Sequence, residues 1–83
     1  MAEPQAPDGW AVVDGAFHRD FEFGDFVEAF GFKSRVALGA EKANHHPDWS
    51  NSWNKVTIDL FSHSAGAITD NDRELARRID ALR

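Results

Sequence analysis

Residues 40–63 read AEKANHHPDWSNSWNKVTIDLFSH, and the spacing of apolar residues changes character inside them. The stretch enters with a helical repeat and leaves with strict alternation. Asn44 tolerates the left-handed conformation that often ends a helix. Pro47 cannot continue a helix, and it pushes His46 towards extended backbone. Trp49, Asn51 and Trp53 then alternate with Ser50 and Ser52, and Asn54-Lys55 can turn the chain. Val56, Ile58 and Leu60 alternate with Thr57, Asp59 and Phe61, which predicts a half-buried strand running on to His63. A helix therefore feeds a hairpin, with the His45-His46-Pro47 step at the junction.

On the amino-terminal side, Asp25–Asn44 has the period of a helix. Phe26, Ala29, Phe30, Phe32, Val36, Ala37, Ala40 and Ala43 fall on one broad stripe, interrupted by Lys33, which must snorkel. Val27, Gly31 and Leu38 form a second, narrower stripe. It reads either as a helix–helix subunit contact or as scattered surface apolar residues. Ahead of this helix, Phe17, Arg19, Phe21 and Phe23 alternate with His18, Asp20 and Glu22, as in a strand. Asp14-Gly15 suits a tight turn joining that strand to the short run Trp10–Val13.

On the carboxyl-terminal side, Ser64–Ile68 is a glycine-containing loop and Thr69 reads as a helix N-cap. Asp70, Asp72 and Glu74 lie where the helix dipole favours anions. Leu75, Ala76, Ile79 and Leu82 make one amphipathic stripe, with Arg77, Arg78 and Arg83 towards the end. The order ββαββα predicts an α+β two-layer sandwich, a four-stranded antiparallel sheet with two helices on one face. The other sheet face is left open.

The chain has 83 residues, read as one domain over 10–83 after a flexible amino-terminal segment, 1–9. A domain of this size buries only about 60–65% of its unfolded surface, so oligomerisation would help it. Seven Phe and three Trp supply the apolar bulk of a core. A net charge of −5 argues against direct nucleic-acid binding. The absence of cysteine excludes disulfides, thiolate chemistry and Cys-ligated zinc. No basic leader or membrane-length apolar run is present, so a cytoplasmic location is expected, with no membrane partner.

Histidines stand at 18, 45, 46 and 63. Imidazole titrates near neutrality and can donate or accept a proton there. Adjacent residues in extended chain point to opposite sides, so His45 and His46 are not equivalent. His45, His46, His63 and Asp48 also offer ligands suited to zinc, but an adjacent pair chelates one ion poorly. Serines 34, 50, 52, 62 and 64 lack a Gly-x-Ser-x-Gly elbow, and there is no phosphate-cradling glycine loop. The residues alone leave acid–base catalysis, a metal site and a structural role open.

The segment AEKANHHPDWSNSW, followed by NKVTIDLFSH, closely resembles the signature of the pterin-4a-carbinolamine dehydratase family. That signature runs Glu-Lys, two residues, His-His-Pro, an acidic residue and an aromatic, then an Asn-Lys-Val turn and a strand ending in Ser/Thr-His. Upstream, FEFGDFVEAFGFKSRVALGAEK is similar to the family's strand and long helix. Gly66, Thr69, Asp72, Leu75 and Ala76 match its Gly-x-x-Thr-x-x-Asp-x-x-Leu-Ala ending. The resemblance runs from Trp10 nearly to the end.

The resemblance implies a hydro-lyase that dehydrates 4a-hydroxytetrahydrobiopterin, the pterin-4a-carbinolamine, to quinonoid dihydropterin and water. It would recycle the cofactor of aromatic amino-acid hydroxylases, with such a hydroxylase in the same pathway. The pterin is the substrate, and neither a metal nor an organic cofactor is implied. The family's catalytic histidines fall on His45, His46 and His63, with His46 and His63 as the main acid–base pair and His45 supporting. Substrate-binding positions fall on Glu41, His45, His46, Pro47, Trp49, Ser62, His63, Ser64, Ala65 and Asp72. Of these, Glu41 and Asp72 would orient histidines or hold the ring. Asn44 stands where many relatives carry Asp, and His18 matches no motif. Family members usually carry a helix ahead of the first strand, where Pro4, Pro7 and Gly9 disfavour one here. A homodimer or homotetramer is expected. The alternative function is that of a dimerisation cofactor for a transcription factor, as in animal relatives.

Overall fold

The computed structural model describes residues 5–83. Among these residues the chain forms β1 (Ala11–Val13), β2 (Ala16–Glu22), α1 (Phe26–Ala43), β3 (Asp48–Ser52), β4 (Lys55–Leu60) and α2 (Asp70–Ala81). This is the expected ββαββα order. The strands make one antiparallel sheet in the order β1-β2-β4-β3, so the second hairpin lies beside the first through β4. Asp14 and Gly15, both at positive φ, close the first hairpin as anticipated.

Both ends of α1 are set by local chemistry. The Asp25 side chain accepts from the Glu28 N–H at 2.9 Å, and Glu28 accepts from the Gly24 N–H at 2.7 Å. This reciprocal cap satisfies amides that the first turn cannot. At the other end Asn44 is left-handed, and its N–H and that of His45 reach back to carbonyls of the last turn. The stop at Asn44 turns His45 and His46 out of the helix.

The core lies between the sheet and the helices. Phe17 and Phe21 of β2, Val56, Ile58 and Leu60 of β4, Ala29, Phe32 and Val36 of α1, and Leu75, Ala76 and Ile79 of α2 are buried together. Phe32 packs its ring 4.8 Å from Phe21 and 5.0 Å from Phe23. Arg19 stays on this face by laying its guanidinium over Phe21 and pairing with Asp80 of α2 at 2.9 Å. The alternate β2 and β4 residues His18, Asp20, Thr57 and Asp59 meet on the opposite face.

Three expectations are corrected in detail. Phe26 and Phe30 are exposed, as are Ala37 and Ala43; the buried stripe of α1 is the narrower Ala29–Phe32–Val36–Ala40. Phe30 and Ala37 lie between buried residues along the axis, so the buried stripe runs the length of α1 but is narrow around it. Lys33 does snorkel, with its ammonium 5.2 Å from the Trp49 ring centre. The second turn is Trp53-Asn54 rather than Asn54-Lys55, because Lys55 already pairs with Ser52 and Glu22. Strand β4 ends at Leu60, short of His63, and Ser62 forms an isolated bridge with Ala67.

The segment expected to be flexible, 1–9, lies partly outside the described residues. Within the described part, Ala6 packs against the core, the Pro7 carbonyl accepts from Trp10 N–H, and the Gln5 carbonyl accepts from Arg73. Among the described residues no helix is long and apolar enough to cross a membrane.

Candidate active site

The end of α1, the end of β4 and the start of α2 converge at one end of the strands. They enclose an open cavity of about 470 Å³. Its walls include His45, His46, Ser62, His63, Ser64 and Ala65, all of which the sequence had singled out. Phe61 and Asn71, which it had not, also line it, as do Asn44 and Thr69.

Each of the three histidines is held by its own carboxylate. His45 Nε2 lies 2.5 Å from Asp72 Oδ1, His46 Nε2 lies 3.0 Å from Glu41 Oε1, and His63 Nε2 lies 3.0 Å from Asp48 Oδ2. A carboxylate only accepts, so each neutral ring carries its hydrogen on Nε2 and its free lone pair on Nδ1. The three rings differ in exposure. The His45 side chain is 17% exposed, His46 59% and His63 68%. The last two stand open to a ligand, while His45 is built into the wall.

The reason lies at Asp72. Its side chain is fully buried at the third position of α2, where the helix amino terminus favours an anion. The Thr69 N–H donates to Oδ2 at 2.8 Å and the Ser62 hydroxyl donates to it at 2.7 Å. Ser62 and Thr69 hydroxyls are themselves 2.7 Å apart; with the Ser62 hydrogen committed to Asp72, Thr69 is the donor of that pair. Three donors converge on one carboxylate, and among the described residues no buried side-chain polar atom lacks a partner.

Other anticipated residues sit further out. Glu41 is exposed beside His46, and Pro47 and Trp49 are half-buried, with Trp49 against the core. Asp48 is the partner of His63 that sequence reading missed, having entered only as a possible metal ligand. Its position directly after Pro47 was a signal, but its reach to His63 depends on β3 pairing with β4. Phe61 stands edge-on to His63, ring centres 5.2 Å apart. Among the described residues, no three His, Asp or Glu side chains converge as ligands for one ion.

His18 lies away from the cavity. Its Nδ1 is 2.8 Å from Asp59 and its Nε2 3.5 Å from Asp20. The hydrogen bond to Asp59 holds its pKa above the usual imidazole range, against some desolvation. Asp20 is shifted below the usual carboxylate range, chiefly by the Thr57 hydroxyl that donates to it at 2.8 Å.

The sequence profile described as pterin 4 alpha carbinolamine dehydratase matches residues 1–82. The chain belongs to the pterin-4a-carbinolamine dehydratase family. A member from Solibacter usitatus, named for that dehydratase, is 53% identical over 73 residues, covering 88% of this chain and 77% of its own. A Bradyrhizobium protein of the same name is 54% identical over 76 residues, covering 89% and 76%. Among solved structures, the transcriptional coactivator/pterin dehydratase of Brucella melitensis superposes with a TM-score of 0.87 at 45% identity, over 90% of this chain and 82% of that one. A pterin dehydratase-like RuBisCO assembly factor of the alpha-carboxysome superposes with a TM-score of 0.70 at 25% identity, over 81% and 77%. The structural relatives of this chain thus include one named for an assembly role as well as one named for a dehydratase.

Proposed function

We propose that this chain dehydrates a 4a-hydroxytetrahydropterin to the quinonoid dihydropterin and water, and so recycles the cofactor of aromatic amino-acid hydroxylases in the cytoplasm. The observation that carries the reading is the set of three carboxylate-held histidines around one cavity, in a chain of this family.

The reaction breaks the C4a–O bond and the N–H bond of the adjacent ring nitrogen, and forms a C=N double bond. One proton goes to the departing hydroxyl, which leaves as water. The other proton leaves the nitrogen. No electrons are exchanged with a second molecule, so an acid and a base suffice. His46 and His63 are the exposed rings, and we assign them this pair of roles. A positioned acid or base contributes about 10²–10⁴-fold to rate. Glu41 and Asp48 hold their rings and stabilise the imidazolium each becomes in turn. His45, fixed by Asp72, supports the wall. Ser64, Ala65 and the backbone of the 62–65 loop hold the pterin, with Pro47 and Trp49 behind the histidines.

A second reading is a protein-interaction role. Phe26, Val27, Phe30 and Leu38 are large apolar residues exposed on α1, and two structural relatives carry names of that kind. A homo-oligomer through this face is compatible with either reading.

The test is a dehydration assay with a freshly generated 4a-hydroxytetrahydropterin. The purified chain is expected to accelerate water loss well above the buffer rate, and chelator treatment is expected to leave that rate unchanged. A rate equal to buffer leaves the interaction reading standing alone.

A further inference from the structure

A second cavity, of about 410 Å³, lies across the 62–68 loop from the first. Phe61 is the one residue that lines both. The two differ in chemistry. The first is walled by histidines, Ser and Asn. The second is walled by Val12, Phe61, Ala67 and Ile68, with Gly15 and Gly66 leaving open space and Asp14 at its side.

A tetrahydropterin is divided in the same way. Its pyrimidine end carries the amide and amino groups, and its reduced pyrazine end carries hydrocarbon and the C6 substituent. C6 is only two bonds from C4a, through the ring nitrogen that loses its proton. Whatever grips C4a and that nitrogen therefore has the substituent emerging beside it. His63 is one of the two residues assigned above to these atoms, and Phe61 lies edge-on to His63.

We infer that the cavity behind Phe61 is the subsite for the C6 substituent of the pterin, and that it selects a neutral, partly apolar substituent over an anionic one. This rests on the dehydratase reading of the histidine cavity. Asp14 is the charged side chain lining the subsite, so a phosphate-bearing tail would meet a carboxylate there without a compensating cation. The competing outlet is a cavity of about 210 Å³ beyond His45. It has half the volume, and its wall is formed in part by the Glu74–Arg78 ion pair.

Ala67 is exposed, so a larger side chain there can occupy the subsite without entering the core. The experiment compares kcat/KM for 4a-hydroxy adducts of 6-methyl- and 6-propyl-tetrahydropterin. Ala67→Phe is expected to lower the propyl-to-methyl ratio about tenfold, the scale at which hydrophobic pockets discriminate chain length. Ala43→Phe, which fills the competing cavity, is expected to leave the ratio as it is. A ratio moved by Ala43→Phe and not by Ala67→Phe overturns the inference. A second variant guards against misfolding of the first. Asp14→Asn keeps a residue that tolerates the positive φ of this turn, and it should raise kcat/KM for a 6-phosphoalkyl adduct severalfold relative to the propyl one. No such rise, in a folded variant, also overturns it. Failure of the wild type to turn over any adduct is a different result: it removes the dehydratase reading itself.

Discussion

All four histidines donate a ring nitrogen to a carboxylate, and burial separates their roles. His46 and His63 pair with exposed acids, so solvent screens the attraction and leaves both rings accessible. His45 pairs with an acid that has no contact with water. A buried carboxylate is stable only when its lone pairs are satisfied, and here Ser62, Thr69 and His45 do this. Asp72→Asn replaces an acceptor with a donor that must face another donor. It is expected to cost about 1.5–3 kcal/mol in urea unfolding, against about 0.5–1.5 kcal/mol for Ser62→Ala. Equal costs would show that the network is not centred on the charge. The resemblance pointed to Asp72 as an orienting residue. That Ser62 faces Asp72 rather than open cavity was not legible, because a hydroxyl's partner depends on where β4 and α2 are brought together.

At the scale of elements, caps were the most readable feature. Asn44 and Thr69 are short polar residues whose chemistry is local, and the structure ends α1 at the one and starts α2 after the other. Packing was less readable. Phe26 and Phe30 sit at the margin of the apolar stripe, and only the packing of sheet on helix decides how far round the axis burial reaches. Trp53 shows the same limit: alternation put it in a strand, but strand register puts it in the turn at φ 48°, with 66% exposure. A bulky residue is strained there and gains little packing. Trp53→Gly is therefore expected to stabilise the chain by about 1 kcal/mol in denaturant unfolding; a loss would mean the indole has a partner.

The sheet's open face makes a further prediction. His18 bridges Asp20 on its own strand and Asp59 on β4, and its folded pKa is raised. A raised pKa means that the folded state binds the proton more tightly. The stabilisation is fully present below about pH 6.5 and is lost as pH rises through the folded value. The stability gap between wild type and His18→Gln should thus be larger near pH 5.5 than near pH 9. Urea unfolding at the two pH values measures it, and an unchanged gap contradicts the assignment.

At the scale of the whole molecule, the helices cover one sheet face and leave an apolar strip on α1 uncovered. Among the described residues, four of the six exposed large apolar side chains, Phe26, Val27, Phe30 and Leu38, belong to it. Light scattering is expected to give a mass that is a multiple of the chain mass, and Phe30→Glu is expected to return it to one chain. A monomer at every concentration would contradict self-association through this strip. The cavity lies at the opposite end of β4 from the Trp53 turn, in a segment built from three elements distant in sequence. Its existence followed from no single motif; the histidines were visible, and their convergence required the fold.

On the proposed reading, His46 and His63 move the two protons of the dehydration. The most direct measurement is the rate of water loss from a 4a-hydroxytetrahydropterin catalysed by wild type, His46→Ala and His63→Ala under saturating substrate. Each variant is expected to retain its fold by circular dichroism and to lose about 10²–10⁴-fold in kcat. Full activity in both folded variants would contradict it.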